Sequence, residues 1–207
     1  MTKLILFDVG NVLICCNQQI TIKKLNEYNV DENKANQFFQ LKEYKQFSAG
    51  ELSEQKYCNA IRTKLQCSLS NKILRECHDA HLVEVNQETI NALKILSNKH
   101  QIGLATNTNK WQTEREQTIL NSTGLYEIIK YDFRSHIMNA LKPNKTFYQK
   151  ILKETKMEPS EILLIDDSKE NISGAIENGI MGYLFTNANQ MIKDLSDKKT
   201  ARRTTLK

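Results

Sequence analysis

Acidic, hydroxyl and ammonium side chains follow separate apolar segments of this chain in a fixed order. Asp8 comes after the first segment, Thr106 after the second, and the adjacent acids Asp166 and Asp167 after the last. Lys142 lies between them, directly before a proline that biases it away from helical geometry. A carboxylate can act as a nucleophile toward phosphorus, and hydroxyl or ammonium groups can hold phosphoryl oxygens. The pattern therefore predicts a site for phosphoryl chemistry.

The segment around Asp8 carries the most information. Apolar residues 4–7 lead into Asp8 and then into a turn that contains Gly10 and Asn11. A parallel sheet presents a side chain at its carboxyl edge in this way. The same pattern also occurs where an aspartate only caps the following helix. The later segments favour the first interpretation, because each adds a group that handles phosphate or metal.

Thr106 and Asn107 are neutral donors, which can hold a phosphoryl oxygen without adding negative charge. Lys142 adds an ammonium that can neutralise a substrate phosphate. Asp166 and Asp167 repel each other unless a cation lies near them, so this pair predicts a Mg²⁺ ion.

The order and types of these groups resemble the four motifs of the haloacid dehalogenase (HAD) superfamily, in its phosphatases with an aspartate nucleophile. The matching positions are Asp8, Thr106, Lys142, and the pair Asp166 and Asp167. The resemblance covers roughly residues 1–190. The run Asp-Val-Gly-Asn-Val at 8–12 is most similar to the subgroup that includes bacterial glucose-1-phosphatases.

The resemblance and the chemistry together imply a role for each group. Asp8 attacks phosphorus and becomes an aspartyl phosphate. The implied catalytic residues are Asp8, Thr106, Asn107 and Lys142. The implied Mg²⁺ ligands are Asp8, the carbonyl of Gly10, Asp166 and Asp167. The turn residues Val9, Gly10 and Asn11 are expected to bind substrate, partly through backbone N–H groups. Asn171 is expected to brace the acidic loop.

One position departs from the family pattern. Many HAD phosphatases carry a second aspartate two residues after the nucleophile, as general acid and then base, whereas this chain has Gly10. Neither glycine nor the neighbouring Asn11 can donate a proton in the working range. A positioned acid contributes about 10²- to 10⁴-fold, and a phenolate leaving group with a pKa near 10 needs it least. We therefore expect a preference for phosphotyrosine or another aryl phosphate, an anomeric sugar phosphate or an acyl phosphate.

The elements that must position these groups follow from apolar periodicity. Strands alternating with helical patterns predict an α/β fold with a Rossmann-like, doubly wound parallel sheet. The predicted strands are residues 3–8, 101–106, 128–132, 162–166 and 181–185. More than ninety residues separate the first two strands, far beyond an ordinary crossover. We expect an α/β core of residues 1–15 and 85–190, an inserted α-helical cap at 16–84, and a basic tail at 191–207.

Several other residues are candidates by position. Arg134 follows the third strand on the same sheet edge and is a candidate for substrate contact. Tyr44 and Phe47 precede a break in the cap, where an aromatic slot would suit a phenyl or sugar face, although a helical cap also packs with aromatics. His78 and His81 are expected to be ordinary cap residues, since no third metal ligand accompanies them. Trp111 is expected in the core.

Composition limits the function classes. The chain has 207 residues, 40% of them hydrophobic and 26% charged, as in an ordinary globular protein. Neither a membrane-spanning run nor a signal-peptide pattern occurs, so a cytoplasmic location is expected. The five cysteines show no metal-binding spacing and are expected to be reduced thiols.

The net charge of +5 is concentrated near the C-terminus, where six basic residues and two acidic residues follow position 192. The rest of the chain is nearly neutral, which argues against nucleic-acid binding. The tail is expected to be solvated, with a linker or contact with anionic surfaces as the alternatives. The expected partner is a phosphorylated small molecule or a phosphoprotein.

Two alternative functions remain open. A haloacid dehalogenase also needs an aspartate nucleophile and no second aspartate, but the Asp166–Asp167 pair would repel its carboxylate substrate. A non-catalytic relative that binds a phosphorylated ligand is the other alternative. It is consistent with Gly10, although the chain keeps Asp8 and Lys142.

Overall fold

Seven strands and eleven α-helices occur within residues 2–196, the part of the chain that this computed structural model describes. The strands are β1 (Leu4–Phe7), β2 (Ile14–Cys16), β3 (Leu82–Val85), β4 (Gln101–Thr106), β5 (Ile129–Arg134), β6 (Ile162–Asp166) and β7 (Met181–Leu184). The helices are α1 (Gln18–Glu27), α2 (Glu32–Asn36), α3 (Lys42–Ser48), α4 (Glu54–Leu65), α5 (Asn71–Asp79), α6 (Gln87–Ser97), α7 (Lys110–Leu120), α8 (Ser135–Met138), α9 (Lys145–Thr155), α10 (Lys169–Glu177) and α11 (Ala188–Ser196).

Five strands form one parallel sheet in the order β5-β4-β1-β6-β7. Strand β1 is central, and its last residue, Phe7, lies opposite Leu104 on one side and Ile165 on the other. The chain moves outward in both directions from this centre, which is the arrangement of a doubly wound sheet. The predicted fold class is confirmed.

Helices cover both faces of this sheet. Leu4 and Leu6 of β1 pack into one buried cluster with α9 and α10, whereas Ile5 and Phe7 pack into another with α6 and α11. Alternate side chains of a strand point to opposite faces, so a strand buried on both faces has a continuous apolar sequence. The uninterrupted apolar runs before Asp8 and Asp166 have this cause.

Helices α1 to α5 all lie between β2 and β3, and they build a third buried cluster. Trp111 of α7 is completely buried and joins this cluster, which confirms its expected core position. Strands β2 and β3 pair antiparallel where the chain leaves and re-enters the α/β part, a small sheet that the sequence analysis did not predict. A three-residue strand gives too short a period-2 signal to be recognised.

The C-terminal part differs from the sequence prediction. Helix α11 continues through residues 191–196, which the prediction assigned to the tail, and Met191 is completely buried. The remaining tail, 197–207, lies outside the described residues. Among the residues described, no helix has both the length and the apolar character needed to cross a membrane. All five cysteines are free thiols.

Candidate active site

Three adjacent strands bring predicted site residues to the same edge of the sheet. Thr106 and Asp166 are the last residues of β4 and β6, and Asp8 directly follows the central strand β1 between them. The backbone N–H of Asp8 donates to the carbonyl of Ile165 at 2.9 Å, so the strand pairing extends to the nucleophile position. Adjacent strands lie about 4.8 Å apart, which places the three side chains within reach of one ligand.

The ammonium of Lys142 contacts groups from all three of these strands. Its Nζ lies 3.1 Å from Oδ1 of Asp8 and 2.5 Å from Oδ2 of Asp166, and it donates to the carbonyl of Ala105 at 2.6 Å. The Lys142 side chain has no exposed surface. Burial opposes the charge of the ammonium, but the two carboxylates outweigh it and raise the pKa of Lys142 above its ordinary value. Lys142 is therefore charged, as a phosphate-binding group must be.

The surroundings of the Asp8 carboxyl group favour its neutral form, whereas those of Lys142 favour the charged form. Burial is the largest effect and raises the pKa of Asp8 to about 7, while Lys142 acts in the opposite direction and Asp166 and Asp167 raise it further. The site thus holds three carboxyl groups close to one ammonium. A further cation would stabilise the ionised, nucleophilic form of Asp8.

Asp8, Asp166 and Asp167 have the geometry of a cation site. Each offers one carboxylate oxygen, and these three oxygens lie within 4.8 Å of one another. Two of the residues are buried, whereas Asp167 is exposed. Oxygen ligands with excess negative charge suit a hard divalent cation such as Mg²⁺. The residues present therefore fit the predicted metal.

Neighbouring side chains orient the two later acids. The side-chain amide of Asn171 donates to both carboxylate oxygens of Asp166, at 3.0 and 3.1 Å, and the backbone N–H of Ser168 donates to Oδ1 at 2.9 Å. The geometry agrees with the expected bracing role of Asn171. Asn11 donates to Oδ2 of Asp167 at 2.9 Å. The side chain of Asn11 thus holds an acid of the candidate metal site.

The turn after Asp8 is closed by backbone hydrogen bonds. Asn11 has a positive φ of 55°, its N–H donates to the carbonyl of Ile14 at 2.7 Å, and the N–H of Ile14 donates to the carbonyl of Val9 at 2.9 Å. Asparagine tolerates this left-handed conformation better than most residues. The side chain of Val9 is completely buried, so only its backbone can contact a ligand. The donors of the two hydrogen bonds that close this turn are the N–H groups of Asn11 and Ile14, and not those of Val9 and Gly10.

The side chain of Asn107 binds the backbone of Lys142. Its Oδ1 accepts from the backbone N–H of Lys142 at 2.8 Å, and its Nδ2 donates to the carbonyl of Lys142 at 2.9 Å. The predicted role, orienting the substrate or nucleophile, stays a prediction. The amide is engaged with the backbone of Lys142, so Asn107 positions the ammonium that contacts Asp8.

A cavity of about 260 Å³ opens at this edge. Six predicted site residues line it: Asp8, Gly10, Asn11, Tyr44, Thr106 and Asn107. Six further lining residues were not predicted as site residues: Cys16, Gln18, His81, Leu82, Gln112 and Glu116. Helix α3 of the insert and helix α7 of the α/β part therefore both contribute to the surroundings of Asp8.

The expected substrate contact of Arg134 is corrected. Its side chain is 2% exposed, and its guanidinium lies 2.6 Å from Oε2 of Glu116 and 2.9 Å from Oδ2 of Asp132. Thr108 donates to the other oxygen of Glu116 at 2.8 Å. Burial raises the pKa of Glu116, and Arg134 opposes this shift. Arg134 therefore supports Glu116 inside the protein, and Glu116 reaches the cavity.

Tyr44 and Phe47 lie in different surroundings, although both were predicted to bind substrate. Tyr44 lines the cavity, whereas Phe47 is 4% exposed and packs into the insert core. The ring of Phe47 stacks on Tyr57 at 4.3 Å between centroids and meets Trp111 edge-on at 5.4 Å. Phe47 is a packing residue, which corrects the prediction.

The two histidines of the insert are more than ordinary cap residues. His78 lies 3.2 Å from the side-chain amide of Asn109, and His81 lies 2.9 Å from that of Gln112. Each pair is separated by 31 residues in sequence. No local pattern signals such contacts, because they form only when α7 packs against the insert.

The fold and the site together define an α/β protein with an aspartate at the end of its central strand, an opposing lysine and a paired acid. The model of the haloacid dehalogenase-like hydrolase family matches residues 2–179, and the chain belongs to this family.

Solved structures share this fold. The HAD family enzyme BT-2542 of Bacteroides thetaiotaomicron, in complex with magnesium and inorganic phosphate, has a TM-score of 0.78 at 23% identity, covering 90% of this chain and 96% of that one. A HAD-like family hydrolase of Porphyromonas gingivalis has a TM-score of 0.78 at 21% identity, covering 95% and 97%. Two structures of the L-2-haloacid dehalogenase of Xanthobacter autotrophicus have a TM-score of 0.66 at 14% and 15% identity, covering 97% of this chain and 84% of that one.

One relative is similar over a shorter stretch. Flavin mononucleotide hydrolase 1, chloroplastic, of Arabidopsis thaliana is 38% identical over 69 residues. The match covers 33% of this chain and 28% of that protein. The similarity to glucose-1-phosphatases stays a prediction.

Proposed function

We propose that this protein is a Mg²⁺-dependent phosphomonoesterase with Asp8 as its nucleophile. The observation that carries the proposal is the position of Asp8 at the end of the central strand, with the Lys142 ammonium 3.1 Å away and the Asp166 and Asp167 oxygens close by. Membership of the hydrolase family supports it. The magnesium and phosphate bound to BT-2542, which has the same fold, are consistent with it.

The reaction follows from the chemistry of these groups. An oxygen of Asp8 attacks phosphorus, the ester P–O bond breaks, and the leaving group departs with the bonding electron pair. Water then attacks phosphorus, and the bond from phosphorus to Asp8 breaks. Phosphate leaves and the carboxylate is restored. Covalent catalysis of this kind divides one difficult displacement into two easier ones.

The other site residues hold the phosphoryl oxygens and the cation. Lys142 and the hydroxyl of Thr106 bind phosphoryl oxygens, assisted by the N–H groups of Val9 and Gly10. Asp8, Asp166, Asp167 and the carbonyl of Gly10 hold Mg²⁺. When bound, the metal supplies positive charge that balances the phosphoryl oxygens and the carboxylates.

We also propose a preference for good leaving groups, because Gly10 offers no proton. Aryl phosphates such as phosphotyrosine and anomeric sugar phosphates are the substrates in question. The Arabidopsis relative is a flavin mononucleotide hydrolase by name. Since flavin mononucleotide is an alkyl phosphate, it tests this preference directly.

The expected division into a core (1–15 and 85–190) and a helical cap (16–84) belongs to the same proposal, as does a cytoplasmic location. Helices α1 to α5 share a buried cluster, which Trp111 of α7 joins, and this supports an insert that packs largely as a unit. Tyr44 and His81 of this insert reach the cavity around Asp8. These contacts support a cap that lies beside the leaving group.

The dehalogenase alternative gains no support from the shared fold. Three carboxyl groups lie together at the nucleophile, and they would repel the carboxylate of a haloacid. The cation site would also have no role in the dehalogenation of a haloacid, because halide leaves without the help of a metal.

Phosphate release tests the proposed function. The substrates are p-nitrophenyl phosphate, phosphotyrosine and glucose 1-phosphate, with phosphoserine and flavin mononucleotide as alkyl esters, each with Mg²⁺ and with chelator. Turnover that needs Mg²⁺ and disappears in Asp8→Asn is the expected result. Stoichiometric binding without turnover would favour the phospho-ligand-binding alternative. An equal or higher kcat/KM for the alkyl esters would contradict the leaving-group preference.

A further inference from the structure

A buried chain of hydrogen bonds crosses from the insert to helix α7 and ends at the hydroxyl of Tyr44. The side-chain nitrogen of Gln112 lies 3.0 Å from the Oη of Tyr44 and 2.9 Å from the Nε2 of His81. The oxygen of the same amide accepts from the side chain of Asn109 at 2.7 Å. Gln112, His81 and Asn109 are each less than one-tenth exposed.

The direction of these bonds is determined at the Asn109 end. The backbone N–H of Gln112 lies 3.1 Å from Oδ1 of Asn109, and an N–H can only donate. The oxygen of Asn109 must therefore be at this position, and its nitrogen must face the Gln112 side chain. Consequently the oxygen of Gln112 faces Asn109, and its nitrogen faces Tyr44 and His81.

The contacts of His81 also require that the nitrogen of the Gln112 amide faces His81. The Nδ1 of His81 lies 2.7 Å from the carbonyl oxygen of His78, which can only accept, so Nδ1 carries the hydrogen. Burial, with a smaller effect of His78, lowers the pKa of His81 to about 4, so its ring is neutral at pH 7. Nε2 is then an acceptor for Gln112. The two ends of the chain are independent, and they agree.

Tyr44 is left with one hydrogen to donate. Gln112 has two amide hydrogens and directs one to His81 and one to the Oη of Tyr44. No residue in the described part of the chain accepts the hydroxyl hydrogen of Tyr44 within hydrogen-bond distance. Burial raises the pKa of Tyr44 above its ordinary value, so the phenol keeps this hydrogen.

Aromatic rings of the insert pack against the ring of Tyr44 and fix its position. His78 stacks against the ring at 5.4 Å between centroids, and Phe38 and Phe39 meet it edge-on at 5.9 and 5.3 Å. Tyr44 lines the cavity of Asp8 and also a second cavity of about 390 Å³ beside Lys142. Gln112, which contacts the hydroxyl of Tyr44, and His81 both line the Asp8 cavity. The aromatic slot for a phenyl or sugar face stays a prediction, and the hydroxyl of Tyr44 adds a hydrogen-bond donor at the Asp8 cavity.

We propose, resting on the proposed function, that the Tyr44 hydroxyl donates a hydrogen bond to the leaving-group oxygen of the substrate. Gln112 and His81 are positioning residues that keep its hydrogen directed into the cavity. The hydrogen stays on Tyr44 during the reaction. The bond stabilises negative charge as it develops on the leaving oxygen, and the departing oxyanion takes its proton from water. The site thus gains charge stabilisation where Gly10 supplies no acid.

A series of substituted phenyl phosphates tests this role in Tyr44→Phe. A hydrogen bond to developing charge contributes more when the leaving oxygen is more basic, so the loss should increase with the pKa of the phenol. We expect kcat/KM for phenyl phosphate to fall about 10- to 100-fold, and that for p-nitrophenyl phosphate to fall less. The dependence of log kcat/KM on leaving-group pKa becomes steeper.

Two further variants complete the experiment. Gln112→Glu places an acceptor beside Tyr44, which turns the hydroxyl hydrogen away from the cavity and should steepen the same dependence. Tyr57→Phe is the matched control, because Tyr57 belongs to the same aromatic cluster but neither lines this cavity nor has a hydrogen-bond partner among the described residues. It should leave the dependence unchanged.

The outcomes separate this inference from the proposed function. Equal losses on all phenyl phosphates in Tyr44→Phe, or a change in KM alone, would overturn the role of Tyr44 and leave the phosphatase intact. Wild-type protein without Mg²⁺-dependent turnover, or full activity in Asp8→Asn, would overturn the proposed function and this inference with it.

Discussion

A Cβ atom added to Gly10 would lie 3.6 Å from the Sγ of Cys16, an ordinary van der Waals contact. The backbone at Gly10 is also outside the left-handed region that disfavours other residues. The position where HAD phosphatases commonly carry a general acid can therefore accept a side chain. The absence of that acid is a property of the sequence, and the fold does not impose it.

Gly10→Asp should accordingly add proton donation. A positioned acid is worth about 10²- to 10⁴-fold on basic leaving groups, so we expect at least about a tenfold rise in kcat/KM for phosphoserine and a smaller change for p-nitrophenyl phosphate. Phosphate release on both substrates measures it. Gly10→Asn, which has the same shape without a titratable proton, is the control. An equal gain in both variants would show that shape, and not proton transfer, is responsible.

Lys142→Met should leave Asp8 and Asp166 without the ammonium that now lies 3.1 and 2.5 Å from them. Loss of one partner of a buried ionic cluster destabilises by about 3–5 kcal/mol. We expect a loss of that order in urea unfolding without metal, together with loss of phosphatase activity. Lys145→Met, at an exposed lysine nearby, is the control. Unchanged stability of Lys142→Met would contradict the electrostatic role assigned to the ammonium.

His81 should make the folded state less stable in mild acid. Its pKa is lowered from 6.5 to about 4 on folding, so between these values the unfolded chain binds more protons. This contribution to stability is complete above pH 6.5 and falls as the pH drops toward 4. The loss is about 2 kcal/mol between pH 7 and pH 5. Urea unfolding at both pH values should show a smaller loss for His81→Gln, and an identical loss would refute the assignment.

Arg134→Met should reduce stability and leave KM unchanged. The substitution removes the guanidinium that lies 2.6 Å from Glu116 and leaves this carboxyl group buried without a cation. The expected destabilisation is about 3–5 kcal/mol in urea unfolding. A substrate-binding arginine would behave in the opposite way, with a raised KM and little change in stability. Kinetics at a temperature where the variant is folded distinguish the two.

The strands and the order of the site groups could be predicted from the sequence. Strands buried on both faces are continuous apolar runs, and the polar residue that ends each run lies at the carboxyl edge whatever the details of packing. Asp8, Thr106 and Asp166 meet for this reason. Lys142 joins them from a loop, and here the prediction depended on the ordered motifs of a family.

Packing between distant elements decided the rest. The sequence alone assigned Tyr44 and Phe47 the same role, yet one reaches the cavity and the other fills a core, because neighbouring helices cover only one of them. Arg134 lies at the predicted edge, but Glu116 binds it from another element. The contacts of Gln112 with His81 and Tyr44 likewise form only when α7 meets the insert. Local periodicity determines the strands and helices and the ends at which reactive groups lie, whereas the direction of a side chain depends on residues far away in the chain.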